Sequence, residues 1–153
     1  MGRRAASVAL LLAGALAPIA PVAPLPAGPG PVVPEARAEH QVSSRYIVLG
    51  YVTDAQNRGR RGVRVKLRRE KTGFSYLGET DADGLYVIVA RLGDESAGEA
   101  LHLRAEGQAV TLTVRFDPGD HATERGTRVD FTARKPVESP TAFAGTLKRF
   151  LAQ

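Results

Sequence analysis

The sequence predicts an all-β fold, a sandwich of seven to eight short strands with an N-terminal signal segment before it and a short C-terminal helix after it. Three observations predict this. From residue 44 onward, aliphatic segments recur at intervals of about 8–12 residues, separated by clusters of Gly, Asp, Asn and Pro. Several of these segments alternate apolar and polar residues with a period of two, so one face of each is greasy and the other wet. There is no cysteine. The core must therefore close by aliphatic burial, which a domain of about 90 residues can supply.

Taken in order, Arg3 and Arg4 precede an apolar run from Ala5 to Ala17. That layout is a secretory signal, and the run is shorter than the roughly 20 residues of a membrane span. Residues 18–34 are rich in Pro, Ala and Gly and cannot continue a helix. Pro18 blocks cutting after Ala15-Leu16-Ala17, so Ala36-Arg37-Ala38 is the better cleavage site. Residues 1–38 are either removed there or kept as an anchor with a Pro-rich tether. Both readings place the folded part outside the cytoplasm, in the periplasm or beyond. Residues 39–44 read as a linker.

Residues 45–135 read as the sandwich. Arg45–Thr53 is rich in β-formers and ends in the turn Asp54-Ala55-Gln56-Asn57-Arg58-Gly59. Val63, Val65 and Leu67 alternate with Arg64, Lys66 and Arg68, which puts the cations on the face opposite the aliphatics. Phe74–Thr80 is a third strand. Leu85–Arg91 is a near-continuous apolar run and is expected at the centre of a sheet. Leu101, Leu103 and Ala105 alternate with His102, Arg104 and Glu106 before a turn at Gly107. Val110, Leu112, Val114 and Phe116 form the cleanest alternation. Val129, Phe131 and Ala133 close the set. In the tail, 136–153, Ser139 and Pro140 can open a helix. Phe143, Leu147, Phe150 and Leu151 follow helical spacing on one face. Two readings stay open there: the helix lies on its own sandwich, or it docks on a partner or membrane surface.

Three motifs carry a family resemblance: Gly50-x-Val52-x-Asp54, then Gly62-Val63-x-Val65-x-Leu67, then Thr80-Asp81-x-Asp83-Gly84-x-Tyr86. In the last, Asp81 and Asp83 suit a tight turn, Gly84 can adopt positive φ, and Tyr86 enters the core with its hydroxyl bonded. Residues 45–92 resemble the carboxypeptidase regulatory-like domain by motif, and 93–135 resemble it by pattern. The resemblance implies a transthyretin-like, prealbumin-like sandwich, related to starch-binding-like modules and found as an accessory in exported proteins. It implies binding or bracing and no catalysis.

The residues exclude several classes. The chain carries 21 basic and 16 acidic residues, a net +5. Losing Arg3, Arg4, Arg37 and Glu35 with the leader leaves 18 and 15, a net +3, too mild to imply nucleic acid. No thiolate zinc site or Cys nucleophile can exist. Asp81 and Asp83 begin like a calcium loop, but its twelfth position is Leu92 and not Glu, so no metal is expected. His40, His102 and His121 lack the spacing of a metal site or triad. Transthyretin-like hydrolases of the urate pathway end in Tyr-Arg-Gly-Ser, whereas this chain ends Arg149-Phe150-Leu151-Ala152-Gln153. No catalytic residue and no cofactor are expected.

Two candidate surfaces remain. Eight basic residues against Glu70 fill Arg58 to Lys71. Within them Arg64, Lys66 and Arg68 project about 7 Å apart along one strand. They form either a stripe for an anionic surface or partner, or a solvated face whose cations discourage edge pairing. Among the aromatics, Tyr51 and Tyr76 could share an exposed face for glycan stacking, or lie in the core. The sequence thus predicts an exported non-catalytic module for binding or structural support in the cell envelope, through an envelope protein, polysaccharide or anionic surface. The alternative is a carbohydrate-binding module of the starch-binding-like type.

Overall fold

A computed structural model describes residues 44–153. The signal segment at 1–38 and nearly all of the 39–44 linker lie outside the described residues. The strands are β1 Arg45–Tyr51, β2 Arg64–Arg69, β3 Ser75–Glu79, β4 Leu85–Arg91, β5 Ala100–Ala105, β6 Gln108–Thr113, β7 Gly126–Phe131 and β8 Pro136–Glu138. A 3-10 turn spans Pro140–Ala142, and helix α1 spans Phe143–Leu151. The strands form two four-stranded sheets, ordered β4-β1-β7-β8 and β3-β2-β5-β6. All neighbours are antiparallel except the parallel pair β1 and β7.

The alternating residues meet between the sheets. Val65, Leu67, Leu101, Leu103, Leu112 and Val114 are buried there from one side, with Tyr46, Val48, Tyr86, Ile88, Val129 and Phe131 of the other sheet in the same core. Burying one such side chain is worth about 1.5–3 kcal/mol. The register of β2 against β5 pairs Val65 with Ala105 and Leu67 with Leu103, so aliphatics stack on the inner face throughout.

Three expectations change. Leu85–Arg91 is an edge strand; β1 sits inside that sheet and is buried on both faces over Tyr46–Leu49. The apolar run of β4 arises because Tyr86, Ile88 and Ala90 face the core while Val87 leans on a second cluster outside. Val89 stays exposed. A near-continuous run does not distinguish edge from centre, because periodicity says nothing about lateral partners. The closing strand also begins and ends earlier, at Gly126 and Phe131, so Ala133 is exposed. Thr132 turns the chain there, its hydroxyl donating to the Lys135 carbonyl at 2.9 Å. Finally, the tail adds β8, which pairs with β7 beyond residue 135.

The Asp81–Tyr86 segment behaves as its residues dictate. One carboxylate oxygen of Asp81 accepts from the backbone N–H of both Asp83 and Leu85 at 2.9 Å. Gly84 adopts φ +79° and packs against the Val52 carbonyl, so no side chain fits there. The Tyr86 hydroxyl, fully buried, donates to the Val129 carbonyl at 2.7 Å. Burial pushes its phenol well above the usual value. The Asp83 side chain adds no bond to the turn, which Asp81 organises alone.

Candidate functional site

The outer faces of the two sheets differ in kind. On the first, Phe143 and Leu147 of α1 cover Ile47 and Leu49 of β1, with Val87 at their side. Gly126 lies beneath the Phe143 ring, where a Cβ would collide with it. Thr146 is buried, and its hydroxyl donates to the Ala142 carbonyl at 2.8 Å and accepts from Arg128 at 3.1 Å. The helix therefore lies on its own sandwich. Phe143 and Leu147 are not open to a partner, which corrects their reading as docking contacts; Phe150 and Leu151 are exposed. Pro140 opens the 3-10 turn and not α1, and Ser139 makes no side-chain cap.

On the second sheet nothing covers the outer face of β2 among the described residues. Arg64, Lys66 and Arg68 all project from it into solvent, alternating with buried Val65 and Leu67. β5 lies alongside and places Arg104 opposite Lys66 and His102 opposite Arg68. Strand spacing sets these cross-strand neighbours about 5 Å apart. The His102 ring is fixed between the Thr111 hydroxyl, 3.1 Å from Nδ1, and the Glu70 carboxylate, 3.0 Å from Nε2. The β5–β6 turn closes one end, with Glu106 and Gly107 at φ +49° and +78°.

Several cations on the rest of the surface meet acids: Arg45 with Glu124, Arg60 with Glu106, Arg69 and Lys71 with Glu99, Arg128 with Asp130. Buried Arg125 lies 4.0 Å over the Phe116 ring and 2.8 Å from Asp94. Hydrogen bonds from Arg69 hold Glu99 below the usual carboxylate range, and hydrogen bonds from Arg125 and then His121 do the same for Asp94. Asp120 drops to about 2 because the Thr123 hydroxyl and the N–H groups of Thr123 and Ala122 bond it. Among the described residues, Arg64, Lys66, Arg68 and Arg104 have no ion pair or side-chain hydrogen bond, although Arg64 stands in register with Glu79.

Edge protection does not explain these cations. β2 is flanked by β3 and β5, so it presents no free edge. Like charges directly opposite in a sheet are destabilising. Sequence reading found Arg64, Lys66 and Arg68 but missed Arg104 and His102. The alternation of β5 turned those two outward; only the pairing of β5 with β2 brings them to the stripe.

Tyr51 and Tyr76 do not share a face. Tyr51 ends β1 on the outside of the first sheet, with the Arg128 guanidinium 5.1 Å from its ring. It lines a depression of about 260 Å³ with Asn57, Asp83 and Asp130. Tyr76 is half-buried at the edge of the core in the other sheet. Its hydroxyl accepts from the Arg91 N–H at 3.2 Å and its ring meets Phe74 at 4.9 Å, so it ties the edges of β3 and β4 together.

No family model matches the chain, and no curated protein matches it. Solved structures do. The dioxygenase domain of a dioxygenase carbohydrate-binding protein fusion from the cellulolytic bacterium Streptomyces sp. SirexAA-E is 17% identical, covering 59% of this chain and 79% of that one, at a TM-score of 0.41. An (S)-allantoin synthase is 12% identical over 65% of this chain and 44% of its own, at 0.42. The major pilin subunit of Bacillus cereus is 16% identical over 62% and 29%, at 0.40. The chain thus spans less than half the length of the last two. Likenesses of this strength carry no argument about activity or ligand.

Proposed function

We propose that this chain is an exported, non-catalytic module of the cell envelope that binds an anionic surface through Arg64, Lys66, Arg68 and Arg104. The observation that carries the reading is the unpartnered cationic face on two interior strands, with Lys66 set opposite Arg104. A sheet that keeps such a pair gives up local stability, and violations of local preference concentrate at functional sites. The N-terminal signal pattern supports export. The motifs at Gly50, Gly62 and Thr80–Tyr86 support kinship with carboxypeptidase regulatory-like domains. Retention on a heparin column tests the reading. The double variant Lys66→Gln/Arg104→Gln elutes at clearly lower salt than the parent; equal elution ends it.

A second reading, saccharide binding, is favoured by the depression beside Tyr51, where a ring, carboxylates and an amide stand together. Glycan-array binding lost in Tyr51→Ala supports it, and a blank array removes it. Tyr76 lies in the other sheet with its hydroxyl on the Arg91 backbone, so it stands apart from that depression.

A further inference from the structure

We propose that two copies of this chain join edge to edge through β3, running antiparallel about a two-fold axis at Leu77, so that their second sheets fuse into one. The free edges of the sandwich are β4 and β8 in the first sheet and β3 and β6 in the second. Three of them are blunted or carry no large apolar residue. β8 is three residues long and opens with Pro136. On β4 the backbone of Leu85 is bonded by Asp81, and that of Arg91 by the Tyr76 hydroxyl. β6 exposes Ala109, Thr111 and Thr113 and no large apolar side chain. β3 differs. The Arg69 N–H donates to the Phe74 carbonyl at 2.8 Å, and the Thr80 N–H to the Val63 carbonyl at 3.0 Å. These bonds and the register against β2 turn the backbone groups of Ser75, Leu77 and Glu79 away from β2. No described residue bonds them. Leu77 on that edge is 74% exposed, the most of any large apolar side chain among the described residues.

The edge is complementary to itself, which selects a second copy over an unrelated strand. With Leu77 opposite Leu77 of the second copy, Ser75 stands opposite Glu79 of the second copy, and Tyr76 opposite Gly78 of the second copy. The outward groups of Ser75, Leu77 and Glu79 then form one hydrogen-bonded ladder. Tyr76 and Gly78 face inward, and a ring beside an edge glycine covers the backbone that the glycine leaves bare. Gly78 is required by its own sandwich, since a Cβ would lie 2.8 Å from Ile88. Sliding the register two residues one way sets Gly78 opposite itself and Glu79 opposite Leu77. Sliding it the other way sets the two Tyr76 rings on each other. Charge favours the same register. One row across the fused sheet reads Arg64, Glu79, then Ser75 and Arg68 of the second copy. Each Glu79 thus lies between two cations, and the short Ser75 leaves the long Arg68 side chain a clear path to it. The two copies of Lys66 stand three strand spacings apart, about 14 Å. That exceeds the screening length of about 8 Å, so the cationic faces do not drive the copies apart. Joined, both faces lie on one side of the sheet.

A five-residue strand makes a small interface, of the size of transient complexes. The test is sedimentation of the full chain from about 5 µM to about 500 µM, with folding followed by far-UV circular dichroism. The parent is expected to pass from monomer to dimer across that range. Leu77→Pro removes only an outward N–H, which an edge strand tolerates, and should stay monomeric with an unchanged spectrum. Leu77→Lys and Leu77→Glu should each weaken the dimer about tenfold, and an equimolar mixture should restore it, because the position meets itself. The chain has no cysteine, so a single thiol reports contact. Leu77→Cys should give a disulfide-linked dimer under mild oxidant, its Cα atoms about 5.5 Å apart, whereas Ala109→Cys on the β6 edge should not. A parent that stays monomeric at the highest concentration overturns the proposal. So does a dimer that persists in Leu77→Pro, a mixture that associates no better than its components, or equal cross-linking at the two sites. If Leu77→Pro loses its fold, the mixture and the cysteine variants decide.

Discussion

The outer faces of the two sheets began from similar backbone and ended differently. β1 offers Ile47 and Leu49 outward, and α1 folds back to cover them. β2 offers Arg64, Lys66 and Arg68 outward, and no described element approaches. The difference teaches that the character of the outward residues decides whether a strand recruits a second layer. Apolar residues on both faces leave exposed surface that the chain covers with its own tail. Strict alternation with cations removes any such drive, so the face stays free for something charged.

The comparison breaks most easily at the covered face. Leu49→Ala, fully buried beneath α1, should lower stability by about 3 kcal/mol, and Phe143→Ala by a similar amount. Urea unfolding reads both. A loss under about 1 kcal/mol would mean that the helix does not hold the sheet.

Acid sharpens the comparison next. Glu99, Asp94 and Asp120 sit below their unfolded values, so their ionised forms favour the fold. That stability is present above about pH 4 and is lost as pH falls towards about 2, where Asp120 titrates in the fold. Thermal unfolding should therefore move to lower temperature across that window. Lys66→Gln should show the same acid loss, since no carboxylate pairs with Lys66; a different pH dependence would reveal a partner.

On the bare face the sign reverses. Lys66→Thr removes a like-charge neighbour of Arg104 and introduces a good strand former. It should raise stability by about 0.5 kcal/mol while weakening retention on heparin. A destabilised Lys66→Thr variant would show the face to be structural. The smallest effect is expected at the helix tip. Leu151→Ser, mostly exposed, should change stability by less than about 0.5 kcal/mol. A larger change would mean that the tip is covered.

Much of the fold was legible. Seven strands were legible, β2, β5, β6 and β7 from period-two alternation and the other three from runs of strand formers between turns, and the Asp81–Gly84 turn followed from side-chain chemistry. What escaped was lateral. Leu85–Arg91 read as central, because an apolar run looks alike at the edge and in the middle. Tyr51 and Tyr76 read as candidates for one exposed face or for the core, and they fell in different sheets. Arg104 and His102 were outward residues with no visible link to Arg68. Phe143 and Leu147 marked an amphipathic helix, but nothing in their spacing named the surface they cover.

By itself the sequence determined which side of each strand is apolar, where the chain turns, and that one strand carries three cations in a row of alternate positions. These follow from local preferences and a two-residue repeat, which need no knowledge of distant chain. Only the tertiary structure decided that β5 lies beside β2, that Lys66 therefore faces Arg104, and that the tail shields β1 and leaves β2 bare. Strand order and helix docking join residues far apart in sequence, and they are set by how the whole set of apolar faces packs at once.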